Sequence, residues 1–239
     1  MKEYRNYIFD LYGTLVDIHT DEHKRSFWKK LAFFFSLNGA VYEEKELRKQ
    51  YHALVKSETE KLCKKEHAEE KEVEIRLERV FKVLYLQKGV PASRSLLAQT
   101  GVAFRAYSLE KLCVYEGATE LLQRLQKAGK RIYLLSNAQR MFTEPEMRTL
   151  GLYPLFDGIL YSSDVGYKKP SSRFYDALLQ KYCLAPEESV MIGNEYEADI
   201  VGAFGKGLDS MYIYTEQSGF QPPSLPAKCR EIKKIAEVF

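Results

Sequence analysis

The chain has 239 residues, 45% of them hydrophobic, and carries 36 basic against 33 acidic side chains. That is enough apolar material for one large domain or for a core with a smaller insert, so disorder is not the default reading. The charges are mixed along the chain, which argues against a nucleic-acid partner, and no stretch approaches the roughly 20 apolar residues that span a bilayer.

Cys63, Cys113, Cys183 and Cys229 stand far apart, with neither a CxxC pair for zinc or redox chemistry nor the dense framework of a secreted domain. No apolar segment follows the charged start. Together these features predict an unexported, cytoplasmic protein with reduced thiols.

Residues 4–9 are aromatic and β-branched, and the run stops at Asp10, followed by Gly13 and Thr14. This pattern predicts a buried strand that ends in a turn, with a carboxylate at its C-terminal end. From about Asp17 to Leu112 the texture becomes helical, and an all-helical insert is expected. A first helix begins after Thr20 or Asp21, carries Phe27, Trp28, Leu31, Phe34 and Phe35 on one side, and ends at Gly39. A second runs through Leu47, Tyr51, Leu54 and Val55 towards Leu62. A third carries Val73, Leu77, Val80, Phe81, Leu84 and Tyr85 before Gly89 and Pro91, and a fourth covers about residues 92–107. The aromatic face of the first helix suits the inside of a bundle better than a pocket lining.

Beyond Glu116 and Gly117 the pattern alternates. A helix over Ala118–Lys127 is followed by strands at residues 131–135, 158–161, 189–192 and 210–214, with helices between them, including residues 171–182 and 200–206. Residues 219–226, with three prolines, read as loop. Such alternation implies right-handed crossovers, a parallel doubly wound sheet covered on both faces, and catalytic residues beyond the C-terminal strand ends.

Candidate residues fall at four strand ends: Asp10 after YIF, Ser136 and Asn137 after IYLL, Lys169 after ILYSSDVGY, and Asn194 with Asp199 after VMI. A carboxylate can attack phosphorus and form an acyl phosphate, provided that charge on the transferring group is neutralised. Lys169 supplies a cation and Ser136 a hydroxyl donor. A divalent metal bridging Asp10 and the phosphate would lower the repulsion between two anions.

FDLYGTLVD, LLSN, GYKKP and MIGNEYEAD together resemble the four motifs of the haloacid dehalogenase superfamily. With the helical insert, the resemblance covers nearly the whole chain. It implies a Rossmann-like core of residues 1–16 and 109–239 and a mobile helical cap of residues 17–108. Asp10 is then the nucleophile, Ser136 with Thr14 and Asn137 binds the phosphate group, and Lys169, directly before Pro170, balances charge. It also implies Mg2+ held by Asp10, the Tyr12 carbonyl and Asn194, with Glu195 as a further candidate ligand, while Asp199, also placed at the metal, is expected rather to pair with Lys169 or to hold a metal-bound water.

Two positions depart from the family pattern. Most phosphatases of the family have a second aspartate two residues after the nucleophile, where this chain has Tyr12, whose free pKa near 10 makes it a poor base. The dehalogenases of the family have a tyrosine there and another six residues beyond the lysine, here Tyr175. They resemble one another in a serine and an asparagine in the fourth motif, where this chain has Asn194, Glu195 and Tyr196, and they require a cap arginine, for which Arg48 is a candidate. Asn194 also replaces the usual aspartate; its amide oxygen can still ligate magnesium but brings no charge. Three functions are carried forward: a phosphatase of a small phosphorylated metabolite, a metal-independent (S)-2-haloacid dehalogenase, and a non-catalytic ligand-binding relative. Specificity is expected in the cap and loops.

Overall fold

The computed structural model describes residues 2–239. In chain order its elements are β1 (Asn6–Phe9), β2 (Val16–Thr20), α1 (Arg25–Leu37), α2 (Glu44–Glu66), α3 (Leu77–Gln87), α4 (Arg94–Ser108) and β3 (Leu109–Val114). Then follow α5 (Ala118–Lys127), β4 (Arg131–Ser136), α6 (Arg140–Thr149), β5 (Gly158–Tyr161), α7 (Ser162–Val165), α8 (Ser172–Lys181) and β6 (Ser189–Gly193). A π-helical turn (Tyr196–Val201), α9 (Gly202–Phe204), β7 (Asp209–Ile213) and β8 (Cys229–Ile232) complete it. No described helix is long and apolar enough to cross a membrane.

Six strands form one parallel sheet in the order β5-β4-β1-β6-β7-β8. The four residues of β1 are all buried, as a central parallel strand requires. Alternation sends Tyr7 and Phe9 to a cluster with Leu121, Leu122 and Leu125 of α5, and Ile8 to one with Phe174, Tyr175 and Leu178 of α8. Both faces are therefore covered, and the fold is the expected doubly wound α/β sheet. Because β4 lies on one side of β1 and β6 on the other, the strand order reverses at β1. A crevice opens at such a point beyond the C-terminal strand ends, and Asp10 stands there.

Helices α1 to α4 pack around a core of their own, built from Phe27, Trp28, Leu31, Phe35, Leu47, Tyr51, Phe81, Tyr85 and Phe104 among others. The aromatic stripe of α1 thus fills a bundle core. Phe142 of α6 enters that core and stacks on Phe104, ring centroids 5.6 Å apart.

Several local expectations are corrected. The insert is not wholly helical: residues 16–20 and 109–114 form an antiparallel ribbon, β2 with β3, so the chain enters and leaves the bundle on adjacent strands. Two short half-exposed strands lack the apolar run that marks a buried one. Val73 is not in α3; it pairs antiparallel with Tyr167. Strand β8, beyond the proline-rich loop, was not anticipated. Lys169 does not follow β5 directly, because α7 intervenes.

Candidate active site

The turn after β1 is wound tightly, with the Leu11 carbonyl accepting the amides of Thr14, Leu15 and Val16. Gly13 makes this possible. Its φ of +82° suits glycine, and a Cβ there would collide with the Asn194 amide. Asp10, 6% exposed, is fixed by its own N–H, which donates to the Ile192 carbonyl at 2.9 Å.

Lys169 is the centre of the charge arrangement. Its Nζ lies 2.6 Å from Asp10 Oδ1 and 2.6 Å from Asp199 Oδ1, with the lysine 3% exposed and Asp199 fully buried. Burial alone would penalise the ammonium, but the charges of the two carboxylates outweigh it and hold the lysine pKa above its ordinary value. For Asp199 burial wins over the lysine's attraction, and its carboxyl is pushed up. Its other oxygen accepts the Glu195 amide at 2.9 Å. Both Asp199 oxygens thus accept protein donors, and the pairing of Asp199 with Lys169 is the one expected. Gly193 leaves the room for this carboxylate, since a Cβ there would collide with it.

Thr14 Oγ1 lies 3.0 Å from Asn194 Oδ1 and 3.4 Å from Asp10 Oδ2, so the hydroxyl links the two side chains. Asn137 spends its amide on the lysine's backbone: Oδ1 accepts the Lys169 N–H at 2.7 Å, and Nδ2 donates to the Lys169 carbonyl at 2.9 Å. Ser136 ends β4 at 1% exposure, one strand over from Asp10. Tyr175, buried, donates to the Ala198 carbonyl at 2.7 Å and so shapes the turn that carries Asp199. Arg48 is solvent-exposed on α2.

Sequence reasoning missed Glu146 and Arg105. The Tyr12 hydroxyl donates to Glu146 of α6 and lies 3.1 Å from Thr143 Oγ1. Arg105 of α4 pairs with Glu146 at 2.8 Å and lies over the Phe142 ring. Burial, with the Glu146 charge, drives the Tyr12 pKa well above its ordinary value near 10. Burial likewise raises Glu146, against the pull of Arg105. Neither residue lies in a recognisable motif; the only sequence signals were a glutamate on the apolar side of a short helix and an arginine late in α4.

No group of three or more His, Cys, Asp or Glu side chains suited to a metal occurs among the described residues. Two oxygens that suit a hard cation are Asp10 Oδ2 and Asn194 Oδ1, which share the Thr14 hydroxyl. This donor set fits Mg2+, which keeps several waters and takes one or two carboxylates.

A buried carboxylate, lysine and serine converging at the switch point of a doubly wound sheet define a hydrolase-type site. The family model for haloacid dehalogenase-like hydrolases matches residues 4–204, and the chain belongs to that family. Among curated relatives, it is 28% identical over 121 residues to a glyceraldehyde 3-phosphate phosphatase of Methanothermobacter thermautotrophicus, covering 51% of this chain and 54% of that one. It is 32% identical over 130 residues to a ribulose-1,5-bisphosphate 5-phosphatase of Halopiger xanaduensis, covering 54% of each. The matched segments thus span about half the length of these relatives. Among solved structures, the HAD-hydrolase YfnB of Bacillus subtilis, bound to magnesium, superposes with a TM-score of 0.55 at 22% identity over 99% of this chain and 97% of that one. A 2-haloacid dehalogenase of Pseudomonas syringae gives 0.64 at 16% identity, over 98% and 96%. These two likenesses concern the fold.

Proposed function

We propose that the chain is a magnesium-dependent phosphatase of a small phosphorylated metabolite, with Asp10 as covalent nucleophile. The observation that carries this reading is the buried Lys169 ammonium held 2.6 Å from Asp10, at the point where the sheet opens. Phosphatases among the relatives support the substrate class. In this reading residues 1–16 and 109–239 are the catalytic core, and residues 17–108 are the cap that closes over it.

The Asp10 carboxylate attacks phosphorus, the ester P–O bond breaks, and the leaving oxygen departs with its electron pair. Lys169 holds Asp10 and neutralises charge on the transferring group, and Ser136 donates to a phosphoryl oxygen. Water then attacks the aspartyl phosphate at phosphorus, which releases inorganic phosphate and restores Asp10. Asp10, the Tyr12 carbonyl and Asn194 would hold Mg2+, which supplies positive charge between the two anions.

The second reading, a metal-independent 2-haloacid dehalogenase, is favoured by Tyr12 beside the nucleophile. Against it, the Tyr175 hydroxyl is committed to backbone carbonyls. A purely ligand-binding relative would have little need for Asp10, Ser136 and Lys169 together. The test is a panel of phosphate esters and 2-haloacids assayed with and without Mg2+. Phosphate release that needs both Mg2+ and Asp10 supports the phosphatase; halide release without metal overturns it.

A further inference from the structure

We propose that the connection between α2 and α3, residues 72–77, is a brace that sets the position of Lys169, with Glu74 and Gln139 as positioning residues. The brace meets the lysine loop by backbone pairing. The Lys168 amide donates to the Glu72 carbonyl at 2.8 Å, the Glu74 amide donates to the Gly166 carbonyl at 3.0 Å, and Val73 bridges Tyr167 between them. At the end of α2, Glu66 accepts the Tyr167 hydroxyl. The residue directly before Lys169 is thus held by a segment of the helical bundle.

A second set of bonds ties the same segment to the turn after β4. Glu74, largely buried, accepts from Gln139 Nε2 at 2.7 Å and from Ser162 Oγ at 3.1 Å. Gln139 Nε2 also donates to the Ile75 carbonyl at 2.8 Å, and its Oε1 accepts the Leu77 amide, the first of α3, at 3.1 Å. Two residues before Gln139 stands Asn137, whose amide grips the Lys169 backbone from the other side. The lysine loop therefore has two supports, one direct and one through Asn137, and both end on residues 72–77.

A long flexible ammonium must be held to within about half an ångström to act reliably, and a displacement of about 1 Å costs on the order of 10²-fold in rate. Here part of the support comes from the bundle, added to that of Asn137 after β4. Seating of the bundle therefore bears on the setting of the lysine, because residues 166–168, directly before Lys169, are paired to residues 72–74.

The test uses the full-length protein with Glu74→Ala, Glu74→Gln and Gln139→Ala. Hydrogen exchange should show the amides of residues 166–169 exchanging at least about 10-fold faster in Glu74→Ala and Gln139→Ala, with β1 and β4 unchanged. On the phosphatase reading, kcat should fall about 10-fold with KM little altered, and Glu74→Gln, which keeps an acceptor oxygen, should recover most of it. Unchanged exchange at 166–169 in folded Glu74→Ala or Gln139→Ala overturns the brace. Faster exchange with unaltered kcat overturns its positioning role. If the wild type hydrolyses no phosphate ester, the phosphatase reading fails, while the exchange experiment still decides the brace.

Discussion

The hydroxyl of Tyr12, two residues from Asp10, is bonded to the carboxylate of Glu146, 134 positions further along the chain. The bond turns the ring towards α6 and, with burial, keeps its proton in place far above neutral pH. Tyr12 therefore cannot serve as a general base. On the phosphatase reading, with no free carboxyl group at this position, attack by Asp10 should be fast only when the leaving group is already stable as an anion. Aryl and acyl phosphates should outpace alkyl phosphates, and the slow second step should give a burst of leaving group. Tyr12→Asp should raise alkyl-ester turnover. Stopped-flow release of leaving group in both proteins checks this; equal rates on aryl and alkyl esters with no burst would mean that another residue moves the protons.

Asp10→Asn should abolish turnover with the fold intact, because Lys169 keeps Asp199 as a partner. Ser136→Ala should lower kcat on the order of 10²-fold through one lost donor. Circular dichroism alongside steady-state rates separates loss of chemistry from loss of fold.

Lys169→Met should be both inactive and unstable. It leaves Asp10 and the buried Asp199 without their shared cation, and breaking a buried pair from one side costs about 3–5 kcal/mol. Adding Asp199→Asn to Lys169→Met should recover much of the melting temperature but none of the activity. A single Lys169→Met variant as stable as wild type would show that the triad carries little of the fold's stability.

Asn194→Asp should tighten Mg2+ binding about 10-fold, since it adds a formal charge while keeping an acceptor for the Thr14 hydroxyl. Titration calorimetry reads this directly. Unchanged affinity would move the ligand role to Glu195.

Glu74 gives a pH dependence of known sign. Burial raises its pKa in the folded protein above the ordinary carboxylate value. Ionisation therefore costs the folded state more than the unfolded chain, and the cost grows as pH rises through and beyond that value. Glu74→Gln should melt higher relative to wild type at pH 8 than at pH 4, as read by calorimetric scans. A difference independent of pH would contradict the burial argument.

The parallel sheet and the cluster around Asp10 were legible because a central strand must be apolar along its length and its polar residues must gather at the end. YIF before Asp10 and VMI before Asn194 satisfy this almost without context. The short strands β2 and β3 carry no such signature; their pairing is enforced by the chain's return to the sheet, a tertiary condition. The bonds of Asn137 to the Lys169 backbone and of Thr14 to Asn194 were not legible, because a motif tells which residues converge and not which of them face one another. Glu146, Arg105 and Glu74 were invisible for a related reason. Each is an ordinary helix or loop residue until a distant segment packs against it.

Strands β2 and β3 also bear on how this chain was assembled. Thr20 faces Leu109 across the ribbon, so residues 21–108 amount topologically to the loop of a hairpin, and lengthening a loop costs little beyond a slowly growing closure entropy. A tight turn joining those two residues should leave a chain that still builds its sheet, and bundles of other sizes could be grafted onto the same pair of stems. The interchange has a cost that the sheet alone does not reveal. On the brace proposed above, a graft lacking a counterpart of residues 72–77 would inherit the carboxylate, the lysine and Asn137 but lose the pairing of residues 166–168.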